Sequence, residues 1–112
     1  MRYREHRFPC DLPVEVVGPD GQVQACIVTN VSQWGVRLAR FDAPQIGDTL
    51  RLRLGVGTQP REARVRWSAG AYCGLRFAQP LDARTIALAR KSVSHKARIK
   101  PPGWNLQLRE LR

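Results

Sequence analysis

Apolar and polar residues alternate through most of the first 78 positions of this chain, the two-residue period of strands that bury one face. Leu12, Val14 and Val16 alternate with Asp11, Pro13 and Glu15, which predicts a strand over Cys10 to Val17. Pro13 marks it as an edge or a strand start, since proline cannot donate to a ladder. Gly18-Pro19-Asp20-Gly21 supplies a tight turn. Val23, Ala25, Ile27 and Thr29 then predict a second strand, paired with the first as a hairpin. Val36, Leu38 and Phe41 carry the pattern into a third, which ends in a loop rich in Pro, Gly and Asp over residues 42–48. Leu50, Leu52 and Leu54 against Arg51 and Arg53 make a fourth, and Ala63, Val65 and Trp67 against Arg64 and Arg66 a fifth. Tyr72 to Phe77 makes a sixth. Short strands at close spacing, with no helical period between them, favour an antiparallel barrel or sandwich. The arginines of the fourth and fifth strands then form a solvated outer face.

The period changes after Leu81. Asp82 is placed as a helix N-cap, and Ala83 to Arg90 are compatible with a helix. Leu81 and Ile86 are spaced for a hydrophobic staple, and Arg90 and Lys91 suit the negative end of the helix dipole. From Ser94 to Gly103 the chain is polar, basic and turn-rich, which predicts an extended or mobile segment. Trp104, Leu106 and Leu108 alternate once more, as in a short strand docking on the body or on a second copy. Residues 1–92 therefore read as one domain and 93–112 as a basic tail.

At 112 residues with 43% hydrophobic content, the chain has the size and composition of one soluble domain with a modest core. Its net charge of +10 is uneven: +2 over residues 1–7, +7 over residues 84–112, and near balance between. Such a balance favours anionic partners, such as nucleotides, nucleic acid or acidic surfaces, without choosing among them. Cys10, Cys26 and Cys73 are odd in number and widely spaced, which argues for buried free thiols over a zinc site or a disulfide framework. His6 and His95 are isolated, and no nucleophile, base and acid stand in a catalytic order, so the residues argue against an enzyme and for no metal or cofactor. No apolar run approaches a signal core or a membrane span, and the expected location is cytoplasmic.

Candidate chemistry concentrates in two places. Arg2, Arg4 and Arg7 cluster ahead of the first strand, and Asn30-Val31-Ser32-Gln33-Trp34-Gly35 joins the second strand to the third. A guanidinium can stack on a purine, fork onto guanine O6 and N7, or pair with a phosphate oxygen. Asn30 offers a donor and an acceptor, Ser32 a hydroxyl, and Gly35 a backbone with no side chain in the way, while Trp34 is placed to wall a pocket. The same residue types would also serve a plain turn held by side chain to backbone hydrogen bonds.

The arginine cluster, the hairpin, the Asn30-x-Ser32-x-x-Gly35 connection, the flanking Gly35-Val36-Arg37-Leu38, the closing Gly74-Leu75-Arg76-Phe77 and the terminal helix together resemble the PilZ domain family over residues 2–90. That family carries Arg-x-x-x-Arg in its N-terminal loop and Asp/Asn-x-Ser-x-x-Gly downstream. The second element matches fully. In the first, Arg7-Phe8-Pro9 aligns Arg7 with the second motif arginine, and Tyr3 stands where the first should be, flanked by Arg2 and Arg4. The resemblance implies a mainly β, six-stranded antiparallel barrel with a C-terminal helix. It also implies binding of cyclic di-GMP through Arg2, Arg4, Arg7, Asn30, Ser32 and Gly35, with transmission to a protein partner. Two alternatives stay open: a nucleotide-free adaptor, and a basic nucleic-acid-binding barrel using residues 90–100. A homodimer through Trp104 to Leu111 is also compatible with the apolar weight there.

Overall fold

The computed structural model describes residues 6–99, with side chains described through residue 91. Six antiparallel strands close into a barrel in the order β1-β2-β3-β6-β5-β4. They are β1 (Phe8–Val17), β2 (Val23–Val31), β3 (Gly35–Ala39), β4 (Thr49–Arg53), β5 (Pro60–Ala69) and β6 (Tyr72–Phe77), followed by helix α1 (Ala83–Ile99). The alternation in sequence is the cause of this closure. Val14, Val16, Val28, Leu38, Leu50, Leu52, Val65 and Leu75 all point inward and are buried. Each such side chain contributes roughly 1.5–3 kcal/mol when fully removed from water.

Closure is uneven. β1 pairs with β2 along its length, yet with β4 only at Val16 and Val17. The stretch containing Pro13 thus lies where β4 gives no partner, in keeping with its reading as an edge. Helix α1 packs on β1, and its buried Thr85 and Ala89, with Leu81 just ahead of it, complete the core. Asp82 starts the helix as expected. Its carboxylate accepts from the Thr85 hydroxyl at 2.6 Å and pairs with Arg61 of β5 at 2.9 Å. The Thr85 hydroxyl chiefly, with Arg61 adding, holds that carboxyl below its ordinary value.

Three expectations need correction. On β2 the buried face is Cys26 and Val28, not the expected set of Val23, Ala25 and Ile27, because the register puts Cys26 opposite the buried Val14 and Val28 opposite the buried Leu38, and Val23 is 56% exposed. The helix continues to Ile99, through the stretch from Ser94 expected to be extended. A basic, turn-poor run such as Ser94 to Arg98 is still a fair helix former once a helix is nucleated upstream. Trp67, expected inside with Ala63 and Val65, is 41% exposed. A bulge between Val65 and Trp67 inserts an extra residue and reverses the facing of the strand beyond it. Residues 1–5 and 100–112 lie outside the described residues, and with them Arg2, Tyr3, Arg4 and the segment from Trp104 to Leu111 on which the dimer expectation rested. No helix among the described residues is long and apolar enough to cross a membrane.

The three thiols are free and buried, as the spacing predicts. Burial pushes Cys10 and Cys26 up to about 11, with Asp11 adding to the first and Cys73 to the second. Cys73 is raised by burial as well. The folded state therefore keeps protons that the unfolded chain releases near the ordinary thiol value of about 8.5. Stability is complete below that pH and falls as the pH rises from there toward about 11. The urea midpoint should decline across this window, and Cys26→Ala should flatten the decline; an equal slope in the variant would show that the thiol does not carry it.

Candidate functional site

Arg7 lies just ahead of β1 and Asn30 one residue before the end of β2, and the pairing of these strands sets Pro9 opposite Asn30. The consequence is a contact across 23 residues of chain: Arg7 Nη1 donates to Asn30 Oδ1 at 2.8 Å, at an exposed position. The bond uses the amide oxygen and leaves the Asn30 NH2 with no partner among the described residues. Phe8, next to Arg7, is itself held, because the Arg90 guanidinium of α1 lies 4.0 Å over its ring. Helix α1 therefore helps fix the start of β1, and with it Arg7.

Ser32 and Gly35 play another part. Ser32 is fully buried. Its Oγ accepts from the backbone N–H of Gly35 at 3.0 Å and of Trp34 at 3.2 Å, and donates to the Gly35 carbonyl at 3.3 Å. The Ser32 N–H also donates to the Gly35 carbonyl, at 2.8 Å. This hydroxyl closes the turn between β2 and β3, where the sequence suggested it for a ligand. Gly35 is needed for a steric reason: a Cβ there would press into the Leu75 carbonyl oxygen of β6. The turn is tied onward, since Gln33 O accepts from Leu81 N at 2.7 Å and Trp34 O from Phe77 N at 2.8 Å.

The sheet register extends the site beyond the two motifs. Asn30 is opposite Arg37, Arg37 opposite Gly74, and Gly74 opposite Trp67. The Trp67 indole lies over Gly74 so closely that a Cβ there would meet the ring. Arg37 is held by a 2.8 Å bond from its Nε to Thr29 Oγ1, and its guanidinium sits 4.6 Å over the Tyr72 ring. Arg76, opposite Gly35, lies 5.1 Å over Trp34. An amide, two guanidiniums and an indole thus lie side by side on the outer face of β2, β3, β6 and β5. Planar cations backed by aromatic rings are suited to stacking on bases and forking onto oxygen anions.

Of the residues singled out from sequence, the structure brings together Arg7 and Asn30, half-buries Trp34 against Arg76, and turns the Ser32 hydroxyl into the β2–β3 connection. Arg37, Arg76 and Trp67 were not among them. Arg37 and Arg76 were legible only as outward positions of alternating strands, and the bulge that exposes Trp67 has no sequence signature here beyond the nearby Gly70 and Gly74.

The comparisons with known proteins agree with this architecture. The model of the family described as PilZ domain matches residues 1–94. The PilZ domain of CeSA from a cellulose-synthesizing bacterium is 17% identical, with a TM-score of 0.56 over 81% of this chain and 98% of that one. The Bacillus subtilis inhibitor of motility, MotI/DgrA, is 18% identical, with a TM-score of 0.56 over 90% of this chain and 54% of its own, so this chain spans about half of that protein. No curated protein matches. At these identities the two structures speak for the fold alone. With most of its length matched by the family model and its six strands closed in the order described, the chain belongs to the PilZ domain family.

Proposed function

We propose that this chain is a non-catalytic, cytoplasmic receptor domain for cyclic di-GMP that passes ligand binding on to a partner protein. The observation that carries this reading is the Arg7–Asn30 hydrogen bond. It joins the two elements expected to meet a nucleotide, with a guanidinium and an amide edge side by side. Arg7 would take a phosphate or the guanine O6 and N7, and the Asn30 amide a base edge. Ser32 and Gly35 would act on the ligand by shaping the turn that presents Asn30. Arg37 and Arg76, each backed by a ring, extend the surface for a second base or phosphate.

A second reading has its own support. Ser32 and Gly35 are both required by the fold, so their presence would persist in a domain that had lost the nucleotide and kept only a protein partner. Tyr3, in the place of the first motif arginine, points the same way, and the name of the motility inhibitor describes a protein that acts on another process.

Isothermal titration with cyclic di-GMP separates the two. The receptor reading expects saturable heat, a loss of about tenfold to a hundredfold in affinity for Arg7→Ala, in line with a charge-assisted hydrogen bond, and no change for Arg51→Ala. A folded protein that gives no heat with the nucleotide, yet gains it in Tyr3→Arg, would establish the adaptor reading. Ser32→Ala tests the division of labour within the motif. It should lower stability by about 1–3 kcal/mol in urea unfolding, because the buried Gly35 N–H and the half-buried Trp34 N–H lose their acceptor. Affinity lost without any loss of stability would mean that the hydroxyl meets the ligand directly.

A further inference from the structure

The outer face of β4, β5 and β6 adjoins the surface described above at Arg76, and its other arginines have no side-chain partner among the described residues. Inward positions of these strands are filled by Leu50, Leu52, Ala63, Val65, Leu75 and Phe77. The outward ones carry Arg51, Arg53, Arg64, Arg66 and Arg76 against one acid, Glu62. The register sets Arg64 directly opposite Arg76. Like charges in that relation destabilise a sheet, and among the described residues the one contact on this pair is the Trp34 ring beside Arg76. Arg51, Arg53, Arg64 and Arg66 have no ion pair or hydrogen bond through their side chains among the described residues. Arg61, at the start of the same β5, shows the contrast: it is matched to Asp82.

We infer that this face docks an acidic, extended segment of a partner protein. Three observations select that chemistry. A depression of about 370 Å³ is rimmed by Arg64, Arg66 and Arg76, with Thr49 and the single acid Glu62 also in its lining. Outward guanidiniums set two residues apart on one strand suit carboxylates, with the planar fork binding each bidentately. Alternate residues of a strand are spaced about 6.6 Å apart, the same repeat an extended peptide offers when every second residue is acidic. Glu62, opposite Arg51 in the middle of the face, would repel a continuous phosphate backbone, whereas a peptide can place a neutral residue there. This inference goes beyond the nucleotide reading and stands without it.

Fluorescence polarisation with a labelled peptide alternating Glu and Leu tests it, beside a Gln/Leu peptide and a single-stranded oligonucleotide of equal length. The Glu/Leu peptide should bind at least about tenfold tighter than the Gln/Leu peptide. Arg64→Glu with Arg66→Glu should weaken it by about tenfold or more, while the charge-matched pair Arg40→Glu with Arg84→Glu changes it less than about threefold. Arg64→Gln with Arg66→Gln guards against misfolding: it should bind the peptide weakly and melt no lower than the parent, since the opposed charges are relieved. No binding of the Glu/Leu peptide, equal losses in the charge-matched control, or tighter binding of the oligonucleotide with the same arginine dependence would each overturn the proposal. Cyclic di-GMP titrations of the Gln pair, and peptide binding by Arg7→Ala, keep its fate distinct from that of the nucleotide site.

Discussion

The constraint on which the rest of this structure depends is the turn from Ser32 to Gly35. A single buried hydroxyl satisfies two backbone N–H groups there, and buried donors without partners are costly enough to reshape a small barrel. The bonds from Leu81 and Phe77 to the carbonyls of Gln33 and Trp34 tie that turn to the end of β6 and to the approach to α1. Four parts of the chain, β2, β3, β6 and the link to the helix, therefore meet at one short connection. The close approach of Gly35 to the Leu75 carbonyl lets β3 and β6 lie together at that point. What looks in sequence like a ligand motif is first of all the knot of the fold.

A second chain of contacts begins where the barrel closes least. β4 gives β1 only two paired residues, so α1 takes over as the cover for the rest of β1. The helix is anchored at its start by Asp82, Thr85 and Arg61, and farther along by Arg90 over Phe8. Phe8 is next to Arg7, and Arg7 reaches Asn30. The position of the guanidinium is thus inherited from helix packing, through a ring contact and one peptide unit.

The existence of the six strands was legible from their alternation, but β2 is apolar on both faces, and only its pairing with Val14 and Leu38 selects Cys26 and Val28 as the buried set. The start of the helix was legible from Leu81, Asp82 and the apolar positions after them. Three further things were not. Trp67 alternates correctly with Val65 in sequence, and only the bulge, a property of the pairing with β6, turns it outward. The length of the helix past Ser92 depends on propagation from an anchored start, which local composition understates. The role of Ser32 was hidden because Asn, Ser and Gly are the residues both of a tight turn and of a nucleotide site; geometry alone separates Asn30, which faces out to Arg7, from Ser32, which faces in.

Charge was misleading for a related reason. Residues 8–83 are near balance when summed along the chain, and by that measure the barrel is electrostatically plain. Folding sorts them. Asp82 is drawn to Arg61, while five arginines of β4, β5 and β6 are set outward on adjoining strands with Glu62 as the one acid among them. Arg76 belongs to this field and also covers Trp34 within the Ser32 turn. The two outer faces of the barrel thus meet at one residue, whose backbone pairs with Gly35 on one side and Arg64 on the other.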